Sequence, residues 1–317
     1  MSLALLFSPQ GSQVVGMGRD LAERSAAARR AVEEADATLG WSISQTCWHG
    51  PADRLDDTRQ TQPCLLTTSV AAHRALGERI DLAPRLVAGH SVGEYAALVT
   101  AGVLELAAAL RLVARRAELM AGVDADGGMA AVLGLDRATV EAVVDAVGRP
   151  TDLVVANDNA PGQVVISGRA AALEAVEAPM REAGARRVLR LSVSGAFHSP
   201  LMAGVAGELA DAFDAETWRD ARVPVVSNVT AEPLTDADRI RAALAEQVRS
   251  PVEWVGCVRR MVADGVDTMV ECGAGAALTG MVRRIAPEVT TATVSDGATL
   301  DQAAALLGAT APAAAPS

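Results

Sequence analysis

Residues 85–100 read RLVAGHSVGEYAALVT, an apolar run, a serine between two glycines, and a second apolar run. The first run, up to Gly89, is typical of a buried strand, and Glu94–Thr100 has helical periodicity. A G-x-S-x-G motif between a strand and a helix predicts a nucleophile elbow that projects the serine hydroxyl. The N–H of Val92 would point towards a developing oxyanion, and the helix dipole adds positive charge there. We therefore predict Ser91 as a nucleophile. The alternative is a chance pair of glycines around a loop serine.

Apolar runs alternate with helical patterns on either side of this motif, which favours an α/β fold. Residues 3–7, 224–227 and 268–271 are further candidate strands, and Leu104–Met120 has the periodicity of a helix.

The pattern changes after a turn-rich break at residues 124–128. The elements then follow the order β-α-β-β-α-β, which is the ferredoxin-like split unit. Pro161-Gly162 supplies the turn between its middle strands. The predicted elements are strands at Met129–Leu133, Leu153–Ala156, Val164–Ser167 and Val188–Ser194, with helices at Arg137–Val147 and Ala170–Ala183.

These patterns predict two domains of unequal size. Residues 1–124 and 198–305 are assigned to a large α/β-hydrolase-like catalytic domain, and residues 125–197 to an inserted ferredoxin-like domain. Residues 306–317 are rich in Ala, Pro and Ser without periodicity, which predicts a disordered tail.

The chain has 317 residues, half of them hydrophobic, and a formal net charge of -11. Its basic runs are short pairs such as Arg186-Arg187 and Arg283-Arg284, so nucleic-acid binding is not expected. No apolar stretch has the length of a membrane helix, about 20 residues, and the N-terminus does not resemble a signal peptide. The four cysteines have no CxxC spacing, which indicates reduced thiols in a cytoplasmic protein without a metal site.

A serine nucleophile needs a base, and the chain has only four histidines. His90 is inside the elbow, His49 is in a turn, and His73 is on a predicted helix. His198 follows the last strand of the small domain, at a domain junction where clefts form. By elimination His198 is the best candidate base, with a structural histidine at a helix start as the alternative.

Several segments together resemble the malonyl-CoA:acyl carrier protein transacylases and the acyltransferase domains of polyketide synthases. The resemblance covers about residues 3–300, in the order and at the spacing of the family. Residues 89–95, GHSVGEY, are similar to the nucleophile segment, and residues 196–202, AFHSPLM, to the segment with the base. The resemblance implies that Ser91 takes the acyl group as an ester and that His198 is its base in a Ser–His dyad.

Residues 116–120, RAELM, resemble the segment whose arginine holds the malonyl carboxylate. Arg116 would use its planar guanidinium to pair with that carboxylate. From the residues alone, a surface arginine on an amphipathic helix is equally possible, as expected for Arg115.

Further site residues are implied by the resemblance alone. Gln247 matches the residue whose main-chain carbonyl orients the histidine. Gln10 would supply a second oxyanion-hole N–H, although Ser8-Pro9 replaces the family's Pro-Gly before it. Phe197 would crowd a branched α-carbon and so favour malonyl over methylmalonyl. Residues 157–165 also resemble a family segment that lines the small-domain side of the cleft, but polar residues that cap turns are the favoured interpretation, and no catalytic role is assigned to them.

The resemblance implies transfer of a malonyl group from malonyl-CoA to a phosphopantetheinylated acyl carrier protein, with no cofactor. A monomer is expected. The pathway stays open between fatty-acid synthesis, a polyketide pathway served in trans, and a malonate decarboxylase. A serine esterase or thioesterase is the alternative, and it would need a carboxylate partner for His198 and no Arg116. A catalytically idle carrier-binding subunit is a second alternative, disfavoured by the intact Ser91, His198 and Arg116.

Overall fold

The computed structural model describes residues 1–123, 126–193 and 195–308. None of the helices in this part of the chain could span a bilayer. The described strands are β1 (Leu3–Phe7), β2 (Leu86–Gly89), β3 (Gly127–Leu133), β4 (Leu153–Ala160), β5 (Gln163–Arg169), β6 (Arg187–Arg190), β7 (Val225–Val226), β8 (Pro233–Leu234), β9 (Thr268–Cys272) and β10 (Thr290–Val294). The described α-helices are α1 (Arg19–Arg24), α2 (Ala26–Leu39), α3 (Ile43–His49), α4 (Ala52–Asp56), α5 (Thr58–Gly77), α6 (Gly93–Thr100), α7 (Leu106–Gly122), α8 (Arg137–Val147), α9 (Ala170–Ala175), α10 (Glu177–Glu182), α11 (Ala203–Phe213), α12 (Ala237–Gln247), α13 (Trp254–Ala263), α14 (Ala277–Ile285) and α15 (Gly297–Gly308).

The larger sheet has six strands in the order β10-β9-β1-β2-β7-β8. All neighbours pair in parallel except β7 and β8. The central strands β1, β2 and β9 are buried along their whole length. Parallel strands that are covered on both faces have continuous apolar sequences. The segments LALLF and LVAG can therefore be recognised as strands from the sequence.

Helices cover both faces of this sheet. Along β1, successive side chains point to opposite faces. Leu5 and Phe7 join the apolar cluster that includes α2, α5 and α7, whereas Ala4 and Leu6 join the cluster formed with α13 and α14. The sheet is therefore the middle of a three-layer α/β arrangement, as the alternating pattern predicts.

The smaller sheet is built from one continuous part of the chain, 127–190. Its strand order is β4-β5-β3-β6 and all its pairs are antiparallel. One face packs on α8, α9 and α10 through a separate apolar cluster that includes Val132, Val140 and Ile166. Its elements follow the predicted order, and the chain enters and leaves the unit from the larger body.

One predicted helix, Ala170–Ala183, is two short helices, α9 and α10, that meet at Val176. Pro179 explains the break, because it has no N–H to donate to Ala175 and its ring crowds that carbonyl. The predicted strand at 153–156 continues to Ala160, through polar residues with low strand propensity.

The last elements of the two predicted domains end at other residues than predicted. The strand predicted over Val188–Ser194 is β6, which ends at Arg190. Helix α15 continues to Gly308, whereas the sequence predicts a disordered tail from residue 306. Asp124 and Ala125 of the predicted break, Ser194, and residues 309–317 of that tail lie outside the described residues.

Candidate active site

The serine of the G-x-S-x-G motif lies between β2 and α6, at the carboxyl end of a central parallel strand. Ser91 has a φ of 53°, a left-handed conformation that is uncommon for a residue with a side chain. Such strain is maintained only where the surroundings fix it. Here Asn228 does so: its Oδ1 accepts from the Ser91 N–H at 2.7 Å, and its Nδ2 donates to the Gly89 carbonyl at 2.7 Å.

The two glycines of the motif are required by close packing. A Cβ on Gly89 would lie 2.0 Å from the carbonyl carbon of Gly93, and a Cβ on Gly93 would lie 2.3 Å from the Phe7 carbonyl oxygen. Real Cβ atoms do not approach backbone so closely, so the turn can form only with glycine at both positions. Close packing is therefore the physical reason for glycine at both positions of the motif.

Ser91 and His198 meet across 107 residues of sequence. The Ser91 Oγ lies 2.8 Å from the His198 Nε2. The other ring nitrogen, Nδ1, faces two carbonyl oxygens, at 2.9 Å from Gln247 and 3.2 Å from Ser250. Carbonyls only accept, so Nδ1 carries the proton and donates it, and Nε2 presents a lone pair to the serine hydroxyl.

His198 is almost completely buried, with 4% of its surface exposed. Burial, together with the nearby positive charge of Arg116, lowers the pKa of His198 to about 3. The imidazole is therefore neutral at physiological pH. A neutral ring that is oriented by a main-chain carbonyl is the form that can accept a proton from Ser91.

Arg116, on α7, is also buried and approaches the same hydroxyl. Its Nη2 lies 3.0 Å from Ser91 Oγ and 3.2 Å from Gln247 Oε1, and its Nη1 lies 2.7 Å from Gln62 Oε1. Its Nε has no acceptor, and no carboxylate of the described residues forms an ion pair with it. Buried charges are normally paired, so this guanidinium has unused capacity for an anion. Arg115, by contrast, is half exposed and pairs with Glu118 and Glu208.

Gln247 connects the groups of the site. Its main-chain oxygen accepts from His198, and its side-chain Oε1 accepts from Arg116. Its Nε2 donates to the Ser91 carbonyl at 3.0 Å and to Glu94 Oε2 at 2.6 Å. The Glu94 carboxyl is fully enclosed, and this burial raises its pKa to about 7 against the opposing effects of Gln247 and Arg116.

Beside these groups is a cavity of about 410 Å³ between the two sheets. Ser91, His198, Phe197 and Gln10 all line it, with Pro9 next to Gln10. The small sheet contributes the opposite wall, through Met129, Asn157, Asn159, Val165 and the residues after β6. Asn157, Asp158 and Asn159 thus lie in β4, with Asn157 and Asn159 on the cavity wall, and they do not cap turns.

Two main-chain N–H groups are free to donate, one on the cavity-lining Gln10 and one on Val92, directly after Ser91. Within the described parts of the chain, neither the Val92 N–H nor the Gln10 N–H makes a hydrogen bond. The Gln10 side chain is tied to Gln62 and Thr58, which fixes the loop after Pro9. Ordinary buried N–H groups are paired, so two free donors at the cavity are suited to a transient anion.

The remaining histidines do not belong to the dyad. His90 lines the cavity, but its Nε2 is bonded to Asn159 Oδ1 at 2.7 Å. His49 and His73 do not line it; His73 packs edge-on against Phe7. No cluster of His, Cys, Asp and Glu within 1–123, 126–193 and 195–308 could hold a metal ion.

Sequence reasoning missed Asn228, Gln62 and Glu94. Asn228 had one usable signal, because it follows a short buried strand beside β2, and ligand-contacting residues gather at the carboxyl ends of such strands. Gln62 lies in a helix far from any motif and has no such signal.

Residues 4–306 of the chain match the family described as the acyl transferase domain. The chain belongs to this acyl transferase family. A relative named malonyl CoA-acyl carrier protein transacylase, from Bacillus subtilis strain 168, is 42% identical over 304 residues, which cover 95% of this chain and 96% of the relative.

Solved structures of family members have the same fold as this acyl transferase. An acyl-carrier-protein S-malonyltransferase from Burkholderia pseudomallei 1710b has a TM-score of 0.93 at 40% identity, and the match covers 96% of this chain and 99% of that one. A malonyl-transacylase solved in complex with a type II PKS acyl-carrier protein has a TM-score of 0.92 at 38% identity, with 96% and 99% covered.

Proposed function

We propose that this acyl transferase moves a malonyl group from malonyl-CoA to the phosphopantetheine thiol of an acyl carrier protein, through an ester on Ser91. The names of the relatives support this reaction. One observation carries it: the Ser91 Oγ is contacted both by the lone pair of His198 and by the guanidinium of Arg116. A nucleophile between a base and an unpaired buried cation suits an acyl group that ends in a carboxylate.

In the first half-reaction, Ser91 Oγ attacks the thioester carbonyl carbon while His198 Nε2 takes the hydroxyl proton. The tetrahedral intermediate collapses with cleavage of the C–S bond. The departing thiolate of coenzyme A takes the proton from His198, which leaves a malonyl ester on the serine and a neutral histidine.

The free N–H groups of Val92 and Gln10 are the proposed oxyanion hole. Loss of one such donor typically raises a barrier by about 3–4 kcal/mol. The N-terminus of α6 adds its partial positive charge beside Val92. The main-chain carbonyl of Gln247 stabilises the imidazolium that forms transiently, in the place that a carboxylate has in a triad.

In the second half-reaction, the thiol of the carrier gives its proton to His198 and attacks the malonyl ester. Ser91 recovers its proton from His198 as the C–O bond breaks. The cycle is therefore ping-pong, and it needs no redox or metal cofactor. Water must compete poorly for the ester, otherwise the protein would be a thioesterase.

Selectivity for malonyl follows from two side chains. Arg116 favours an acyl group with a terminal carboxylate. Phe197 lines the cavity beside His198, where its ring would crowd a methyl branch at the α-carbon.

The geometry gives less support to a serine esterase. An esterase triad would place a carboxylate against His198 Nδ1, and here that atom meets two carbonyl oxygens. A neutral acyl ester would also leave the guanidinium of Arg116 without an anion.

We further propose that the six-stranded sheet is the α/β-hydrolase-like domain formed by 1–124 and 198–305. Residues 125–197 would then be the inserted ferredoxin-like domain, which the β4-β5-β3-β6 strand order supports. The monomeric state and the cytoplasmic location stay predictions, and the choice between pathways stays open.

The test is an intact mass measurement after mixing the protein with malonyl-CoA without a carrier. We expect a gain of one malonyl unit, which Ser91→Ala abolishes. Ser192→Ala is the matched control, because Ser192 lines the same cavity without contacting His198. Rapid release of coenzyme A without an adduct would instead indicate hydrolysis.

A further inference from the structure

Exposed large apolar side chains are few, and one of them lines the cavity. The exposed large hydrophobic residues of the described chain are Met1, Val14, Val15, Leu189 and Leu191. Leu191 itself lines the cavity, and Val14 follows Gln13, which also lines it. Apolar groups that gather on a surface next to a site are typical of a place where another molecule binds.

The small sheet extends this apolar surface away from the cavity. In the β3–β6 pair, Ala131 is opposite Leu189 and Leu133 is opposite Arg187. Side chains alternate along a strand, and Val188 packs with the helix-side cluster. The residues Arg187, Leu189 and Leu191 therefore share the other face with Ala131 and Leu133. We call these five residues the β6 face.

The β6 face leads from the cavity to the sheet edge. Met129 and Val165 on the same sheet line the cavity, as does Leu191. At about 3.3 Å per residue, the path from Leu191 to Arg187 is roughly 13 Å long. Strand β6 pairs only with β3 among the described strands, so its outer side is open.

Strand β6 and the residue directly before it carry exposed arginines: Arg186, Arg187 and Arg190. Arg187 lies on the β6 face, whereas Arg186 and Arg190 alternate to the helix side of this edge strand. None of them forms an ion pair with a described carboxylate, although many other arginines of the described chain do. In a protein with a net charge of -11, these unpaired cations along an open strand edge would attract an acidic partner.

We infer that the β6 face is the docking surface for the carrier protein, an acidic partner that delivers its phosphopantetheine thiol into the cavity. This inference rests on the proposed function. Apolar side chains at the centre and unpaired arginines at the rim have the usual arrangement of a protein interface. A relative solved in complex with an acyl-carrier protein supports a folded partner. Coenzyme A, which has the same arm and phosphates, is the competing occupant.

The test separates the two half-reactions in the double variant Arg187→Glu, Leu189→Asp. Both side chains are exposed, so we expect the melting temperature to stay unchanged. We expect the KM for the carrier to rise at least tenfold. The rate of malonyl-enzyme formation from malonyl-CoA, and transfer to free pantetheine, should stay within twofold of the unaltered protein.

Arg29→Glu is the matched control, because Arg29 is exposed on α2 with no ion pair among described residues, and no part of α2 lines the cavity. It should leave both half-reactions unchanged. An unchanged carrier KM in the double variant would overturn the inference. An equal rise in KM for malonyl-CoA and carrier would also overturn it, because the face would then serve coenzyme A.

Failure of the proposed function would give a different result, namely no malonyl ester on the unaltered protein. Direct binding of the phosphopantetheinylated carrier, measured by fluorescence anisotropy, then decides the docking question alone. Weaker binding by the double variant than by Arg29→Glu supports the β6 face, and equal binding contradicts it.

Discussion

The role of Arg116 can be tested by replacing it with methionine, a side chain of similar length without charge. In the proposed complex the guanidinium gives the malonyl carboxylate charge-assisted hydrogen bonds, each worth about 1.5–3 kcal/mol. Two such bonds amount to about 3–6 kcal/mol, similar to the cost of leaving one member of a buried ion pair alone. At about 1.4 kcal/mol per tenfold, kcat/KM for loading from malonyl-CoA should fall by roughly 10²- to 10⁴-fold.

Acetyl-CoA separates this effect from damage to the nucleophile. Arg116 also donates to Ser91 Oγ at 3.0 Å, so the replacement affects every acyl donor through that contact. Acetyl has no terminal carboxylate, so the rate of loading from acetyl-CoA should fall only by the effect of the lost contact between Arg116 and Ser91. The ratio of malonyl to acetyl loading, measured by rapid quench and mass spectrometry, therefore isolates the carboxylate contact.

Arg115→Met is the matched control, since it removes an adjacent, half-exposed arginine whose partners are Glu118 and Glu208. It should leave the malonyl-to-acetyl ratio unchanged. If Arg116→Met slowed both donors by the same factor, the guanidinium would be a support for Ser91 and not the group that selects the carboxylate.

Three more predictions concern the neighbours of Ser91. Phe197→Ser should raise methylmalonyl transfer relative to malonyl transfer by about 10- to 100-fold, because one methyl in a tight cavity is worth roughly 1–3 kcal/mol. Competition between the two thioesters measures this ratio. An unchanged ratio would contradict the steric role of Phe197. The pKa of His198, lowered to about 3, keeps the base neutral in acid, so the loading rate should stay flat from pH 7.5 to 5.5, where an unperturbed histidine would lose about tenfold. The rate of coenzyme A release, measured by stopped flow, checks this. A decrease in that rate centred near pH 6.5 would contradict the lowered pKa of His198. The same lowered pKa means that the unfolded chain binds the proton first, so stability should decrease as the pH falls below about 6.5.

The sequence predicted those parts of the fold that depend on local pattern. β1, β2 and β9 are buried on both faces and so are plain apolar runs. β4 was underpredicted because Asn157-Asp158-Asn159 has low strand propensity. Contacts with a distant segment keep this part of β4 extended. Asn157 forms a β-bridge with Val252, and the Asp158 N–H donates to the Val252 carbonyl.

The residues of the candidate site also fall into those that a local motif predicts and those that only the fold brings together. Ser91 is in a local motif that also forces the glycine turn, so its position could be predicted. Asn228 and Gln62 could not, because each contacts the site through a side chain brought there by a distant element. The buried amide of Gln247 connects Ser91, Arg116 and Glu94, and only its main-chain contact with His198 was expected, from the family resemblance.

The most direct test of the proposed reaction follows the malonyl group itself. The malonyl-enzyme is made with radiolabelled malonyl-CoA, freed of coenzyme A by gel filtration, and mixed with a phosphopantetheinylated carrier protein. The proposed reaction predicts that the label leaves Ser91 rapidly and appears on the carrier, and that it persists on the enzyme when only buffer is added. Rapid appearance of free malonate in buffer, with little label on the carrier, would contradict it and make the protein a hydrolase.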